Sequence, residues 1–413
     1  MSQPTLARRL GLGDATVIGV GSMVGAGVFA VFVPAAQAAG AALLIGLLLA
    51  AVVAYCNATS SAQLAAVHPV AGGSYAYGRA ELGPWWGFAA GWCFVIGKTA
   101  SCAAMALTFA AYVVPGGWAQ RLVAVTAVLV LAAINYRGIT RTALATRIIV
   151  AVVLAVLLVW ATGNLLADGP SHLAGLSIEP SLLGVLQSAG LLFFAFAGYA
   201  RIATMGEEVR DPARTIPRAI LAALAIALVV FTVVALTLLD RLGVEALAAS
   251  TRPVHEAAAM IDPSGALALA VTVAAALACL GALLNLMTGI GRTSLAMARE
   301  RDLPTWFAGI HPRFQVPHRA EVVLAVVVSV LVAFGGLREV ISFSSFGVLL
   351  YYTVANLAAL RQREGRRYPR ALQVLGIALC LLLVATLTWP VLLTGIAVLV
   401  VGLLGRRLLR PAD

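Results

Sequence analysis

Twelve runs of mostly apolar residues follow one another along the chain with hardly a gap, at roughly 14–39, 41–66, 84–114, 119–135, 143–167, 183–207, 217–239, 265–298, 319–336, 338–360, 370–388 and 390–405. A helix needs about 20 such residues to cross the hydrocarbon core of a bilayer. In hydrocarbon every backbone N–H and C=O has to be satisfied inside the structure, so runs of this kind predict an all-α integral membrane protein. Composition agrees: 62% of the 413 residues are hydrophobic and 11% charged, whereas a soluble domain is about half apolar and a quarter charged. The first run leads straight into the second, so it is expected to stay in the membrane and not to act as a cleaved leader. No stretch between runs has the length of a separate soluble domain.

The net charge of +11 has to be placed before it can be interpreted. Apart from Lys98 and Arg201, which fall inside runs, the basic residues cluster at the ends of the apolar segments. Arg121, Arg241, Arg252 and Arg338, 4 in all, belong to the odd-to-even connections, against 22 in the N-terminus, the even-to-odd connections and the C-terminus. This asymmetry is the positive-inside signature and predicts both termini in the cytoplasm. It reads as topology, not as a nucleic-acid surface. Cys56, Cys93, Cys102, Cys279 and Cys380 all lie in apolar segments without CxxC or Cys/His spacing, so neither a disulfide framework nor a zinc site is expected.

Two runs carry glycines where helices do not favour them. The first contains Gly19, Gly21, Gly25 and Gly27, and each glycine inside a helix costs about 1 kcal/mol relative to alanine. Close helix packing of the small-xxx-small kind is one explanation, and Gly21 and Gly25 fit its spacing. The other is an unwound segment whose freed N–H groups hold an anion. The sixth run, Phe193-Phe-Ala-Phe-Ala-Gly198-Tyr-Ala-Arg201, has a glycine in mid-membrane as well. Interrupted helices at corresponding first and sixth positions point to a transport site between two repeats.

Three motifs then carry a resemblance. Gly21-Ser-Met-Val-Gly-Ala-Gly-Val-Phe29 resembles the GxxxGxGIF signature of the amino acid–polyamine–organocation (APC) transporter superfamily. Glu207-Glu-Val-Arg-Asp-Pro-Ala-Arg-Thr-Ile-Pro217-Arg-Ala is similar to that superfamily's EExxNPxRxIPRA. Arg292 through Met297-Ala-Arg-Glu-Arg-Asp-Leu-Pro304, with Val316-Pro317 after it, is similar to its R-x5-ARDGxLP loop. The matches span about 1–360 in the family's order. They imply a five-plus-five inverted repeat of the LeuT type with about 12 transmembrane helices, helices 1 and 6 broken. On this reading 1–361 is the transport core and 362–413 holds two accessory C-terminal helices. The resemblance further implies that N–H groups around Met23, Val24, Gly25, Ala26 and Gly27 hold a substrate carboxylate. Carbonyls of Phe194, Ala195 and Ala197, beside Gly198, would hold its ammonium.

The chain departs from the pattern in two places. A lysine that many relatives carry in the fifth span is replaced by Val153, and only Thr288 in the eighth span offers a hydroxyl for a sodium site. The coupling ion, with the proton as candidate, therefore stays open. Lys98, the single lysine, lies about ten residues from either end of the third run. A charge at that depth costs about 2.5–3.5 kcal/mol on insertion scales and usually faces the bundle interior. It is a candidate proton carrier or fixed countercharge, with snorkelling to an interface as the alternative. Arg201 is similarly deep, with Glu207 or Glu208 as prospective partners. Phe196 and Tyr199 flank the break as gate candidates, ordinary packing being the alternative.

Together these readings predict a secondary active transporter of an amino acid or related amine, neutral rather than strongly cationic because no acidic side chain is placed near the site, working by alternating access in the cytoplasmic membrane. Export or exchange are the other modes of the same fold. A channel would show a repeated pore-lining pattern, a membrane enzyme a clustered catalytic set, and a metal carrier hard ligands at the breaks; none is present in the sequence. No cofactor or metal is implied. The partners implied are the lipid bilayer, a small molecule and the candidate proton, and nothing in the sequence fixes an oligomeric state.

Overall fold

The computed structural model describes residues 10–69, 72–114, 116–138, 143–167, 171–173, 178, 181–206 and 208–409. Each apolar run lies on helix. In chain order the helices are α1 (Leu12–Ala30), α2 (Phe32–Ala39), α3 (Leu43–Val67), α4 (Ser74–Leu82), α5 (Pro84–Val113), α6 (Trp118–Tyr136), α7 (Ala143–Leu166), α8 (Leu182–Phe196), α9 (Ala200–Ala203), α10 (Pro212–Ala249), α11 (Pro253–Ile261), α12 (Ala266–Arg299), α13 (His318–Phe334), α14 (Leu337–Arg361), α15 (Arg370–Ala385) and α16 (Trp389–Leu409). Ten segments among the described residues are long and apolar enough to cross a membrane, the stretch Phe32–Val67 counting as one. The helices on the ninth and eleventh runs, α13 and α15, are shorter, at 17 and 16 residues. Among the described residues there is no strand, only a bridge between Leu10 and Val209 that ties the entry to α1 to the exit from α9.

Burial separates a core from a lipid-facing shell. The most apolar windows of α14 and α5 are 83% and 78% buried, those of α7 and α16 only 22% and 17%. Shell helices present Leu158, Leu166, Leu393, Val401 and Leu408 outward, the expected surface of a protein whose solvent is hydrocarbon. Core helices meet through small residues instead. A Cβ on Gly347 of α14 would lie 2.8 Å from the Cα of Gly97 on α5, so the two backbones nearly touch there. Ser101 and Ser344 share a hydrogen bond of 2.7 Å one turn away. In lipid, close van der Waals approach and hydrogen bonds of this kind hold helices together.

The two glycine-bearing runs are both interrupted, but differently from expectation in the first. Helix α1 continues unbroken through Gly19, Gly21, Gly25 and Gly27, and the bend falls at Val31. Its cause is Pro34 in α2. Proline has no N–H for the carbonyl four residues back, here Ala30, and its ring crowds that carbonyl. The glycines instead receive neighbours: a Cβ on Gly21 would lie 2.6 Å from Val150, on Gly25 3.3 Å from Ala282, and on Gly27 2.6 Å from Ala195. The N–H groups at 24–27 are therefore committed to the helix in this conformation. In the sixth run the helix tightens into a 3-10 turn at Ala197–Tyr199 between α8 and α9, centred on Gly198.

Candidate functional site

The interrupted sixth run crosses α1 at two close approaches, Gly27 on Ala195 and Gly198 on Ser22. A Cβ on Gly198 would stand 2.3 Å from the Ser22 carbonyl oxygen and 2.6 Å from the Met23 nitrogen. Both neighbours are backbone and cannot rotate away, so even Gly198→Ala must part the two helices. Transport by Gly198→Ala is expected to be lost while insertion is retained. Gly25→Ala, whose nearest contact is 3.3 Å from an alanine methyl, should retain much of it. Uptake normalised to the amount of protein in the membrane checks both, and near wild-type uptake by Gly198→Ala would overturn this crossing as a functional element.

Tightening to a 3-10 turn changes which backbone carbonyls find helical partners. The Ala197 carbonyl accepts a hydrogen bond from Lys98 Nζ at 3.2 Å. Lys98 is 5% exposed, on α5 immediately after the Gly97–Gly347 contact. The close packing of α5 on α14 thus aims the chain's single lysine at the break in the sixth run, and the snorkelling alternative is set aside.

A cavity of about 690 Å³ lies beside this contact, lined chiefly by α1, α5, α8, α9 and α12, with Tyr75 of α4 and Thr146 of α7, within the size range of small-molecule sites. Of the residues singled out from sequence, Met23, Gly27, Phe194, Ala195, Ala197, Gly198, Lys98 and Arg201 line it. Val24 and Gly25 border a smaller crevice shared with Val153 and Asn285; the side chain of Ala26 lies outside what the structure describes. Phe196 and Tyr199 face away from the cavity. The Phe196 ring packs edge-on against Phe231 at 5.0 Å, and the Tyr199 ring tilts on Tyr352 at 5.2 Å. Thr288 donates to Asn135 on α6 at 3.1 Å and to its own helix at Leu284, and is not part of the lining.

Arg201 donates from Nη1 to Thr204 Oγ1 at 3.1 Å, not to an acidic residue. Glu208 stands 4.0 Å from Arg292 instead, and Glu207 is outside the described residues. Sequence reasoning missed Phe94, Ser101 and Met105 on α5 and Asn285, Arg292 and Thr293 on α12 as lining. A signal existed for the first group: Ser101 and Met105 follow Lys98 at helical spacing, three and seven residues on. The cavity reaches the surface beside Arg292, whose side chain is 53% exposed. Outside the lining, beyond Gly27 on α1 and Met105 on α5, Phe29 packs edge-on against Tyr112 at 5.5 Å, both rings buried.

A network borders the open end. Tyr75, which lines the cavity, donates its hydroxyl to Asp302 Oδ2 at 3.0 Å. Burial above all, with the Asp302 carboxylate, pushes the Tyr75 phenol above its ordinary range, so it remains a donor at physiological pH. The same oxygen accepts from Arg79 Nη1 at 2.8 Å, and Oδ1 accepts from Arg406 Nε at 2.7 Å. Nothing in the local sequence around residue 302 announces a partner 104 residues later.

A cavity of small-molecule size, walled by membrane-crossing helices of which two are interrupted nearby, is the architecture of a membrane transporter. The chain belongs to the amino acid permease family, whose profile matches residues 10–404, and with it to the APC superfamily that its motifs resemble. It is similar to an uncharacterized transporter of Mycobacterium tuberculosis, 54% identical over 401 residues covering 96% of this chain and 90% of that one. A methylthioribose transporter of Bacillus subtilis is 28% identical over 388 residues, with 87% and 82% covered. A branched-chain amino acid permease of the same species is 24% identical over 438 residues, with 96% and 73% covered.

Proposed function

We propose that this permease is a secondary active transporter of an amino acid or related amine, working by alternating access around the cavity between α1 and the interrupted sixth run. The observation that carries the reading is the cavity itself: about 690 Å³, with the exposed Arg292 in its lining, while the buried Phe29–Tyr112 pair lies outside the lining, beyond Gly27 and Met105. In this reading the cavity is open on the Arg292 side only, one half of an alternating-access cycle. Met23, Gly27, Phe194, Ala195, Ala197 and Gly198 form the substrate contacts in this reading, with Val24, Gly25 and Ala26 behind them. A carboxylate can reach the N–H groups of 24–27 only if α1 unwinds there. In the present conformation the cationic donors Lys98 and Arg201 of the lining are available to it.

The transport core is assigned to 1–361 and the accessory helices to 362–413. Both termini are placed in the cytoplasm, from the arginine asymmetry, and the membrane is the cytoplasmic one. The cavity then faces inward. A reporter fused after Asp413 should read cytoplasmic and one inserted within 251–262 external; matching signals would overturn this orientation.

Function is tested on the purified protein by thermal shift against a panel of amino acids and amines, because a ligand of the folded state raises apparent stability. Binding compounds are then assayed for uptake into proteoliposomes with and without a pH gradient. A rise in melting temperature with an amino acid, and its saturable uptake, is the expected result. The absence of both for the whole panel would sink the reading.

A further inference from the structure

We propose that the substrate of this cavity carries a net negative charge, and that among amino acids it is those with a carboxylate side chain. The proposal rests on amino acid transport as the cavity's function and departs from the neutral ligand expected from sequence. Among the described residues the charged side chains lining the cavity are Lys98, Arg201, Arg292 and Glu208. The last two stand together at the mouth, 4.0 Å apart, with Arg292 half exposed to solvent.

Deeper in, two cations remain. Lys98 donates to the Ala197 carbonyl, which satisfies a hydrogen bond without cancelling the charge. Arg201 donates to the neutral hydroxyl of Thr204. Neither has a carboxylate within 4.0 Å among the described residues. Charges in such a site interact far more strongly than in water. A neutral amino acid would bring one carboxylate and one ammonium, leaving the excess positive charge unbalanced and setting its ammonium near like charges. A second carboxylate halves that excess, from two positive charges to one.

The spacing suits it as well. Ala197, where Lys98 is anchored, and Arg201 are four residues apart across the 3-10 turn, a backbone rise of roughly 6–8 Å, and on the proposal each cation takes one carboxylate. Guanidinium offers the planar fork that a carboxylate fills with two hydrogen bonds, and ammonium is a point donor. Phe94, Phe194 and Met23 supply apolar wall between them.

Counterflow in proteoliposomes tests the proposal with labelled L-glutamate, L-aspartate, L-leucine, L-arginine and succinate at equal concentration. The expected result is glutamate or aspartate uptake at least about tenfold faster than leucine, falling by about tenfold or more in Arg201→Gln and partly restored in Arg201→Lys. Faster uptake of leucine or arginine than of either acidic amino acid overturns the proposal and leaves amino acid transport standing. Uptake of succinate alone upholds the charge and overturns the amino acid function beneath it. No uptake of any of the five overturns both.

Discussion

Asp302→Leu is expected to cost about 3–5 kcal/mol of stability, the range for removing one partner of a buried ion pair. The Asp302 side chain is fully buried, and Arg406, 2% exposed, is stacked over the Trp85 ring at 4.1 Å. Without the carboxylate that guanidinium is left as a charge in a closed, largely apolar site. Arg79 is better protected: its side chain is 23% exposed and Glu300 holds it at 2.9 Å. The expense therefore sits on Arg406, and a double exchange isolates it. Asp302→Leu with Arg406→Met replaces buried charges by apolar groups, a change that is often neutral. The double variant should recover most of the apparent melting temperature lost by the single one. If Asp302→Leu is as stable as the parent, or the double variant no better than the single, the pair is not what pins α16 to the loop after α12.

Lys98→Met should insert and fold but lose transport by about tenfold or more, since it removes the ammonium that meets the break; a hydrogen bond from a charged group is worth about 1.5–3 kcal/mol, and 1.4 kcal/mol is a factor of ten. Met matches the length and burial of the lysine stem and removes only the ammonium. Lys98→Arg separates the two electrostatic roles, because arginine keeps the positive charge and effectively cannot release a proton. With a fixed charge at the break, Lys98→Arg retains most of the gradient-driven uptake. With a proton cycled at Lys98, it loses accumulation under a pH gradient but keeps exchange. Reconstituted uptake measured with and without the gradient decides, and full activity in Lys98→Met would exclude both roles.

The membrane environment explains why so much of the fold was legible in the chain. Each apolar run became helix because a backbone in hydrocarbon has little else to bond to, and this constraint is local to about 20 residues. The first bend was also within reach. Pro34 stands four residues beyond Ala30, and its missing N–H sets the break at Val31; the glycines drew attention because they are costly in a helix, yet they serve packing. Gly198 and Lys98 were recognisable for the same reason, each being unfavourable at its depth unless something compensates.

What compensates belongs to the tertiary structure. The sequence placed Lys98 inside a bilayer, but only the contact of Gly97 with Gly347 turns it toward Ala197. Phe196 and Tyr199 flank the interruption in sequence, yet packing on Phe231 and Tyr352 takes them out of the cavity. Thr288 is committed to Asn135, and Asp302 meets Arg79 and Arg406 from opposite ends of the chain. Helix formation depends on neighbours three and four residues apart, so the sequence alone determined it. The direction of a side chain within a bundle depends on which other helix lies across from it, and that is decided only when the helices pack.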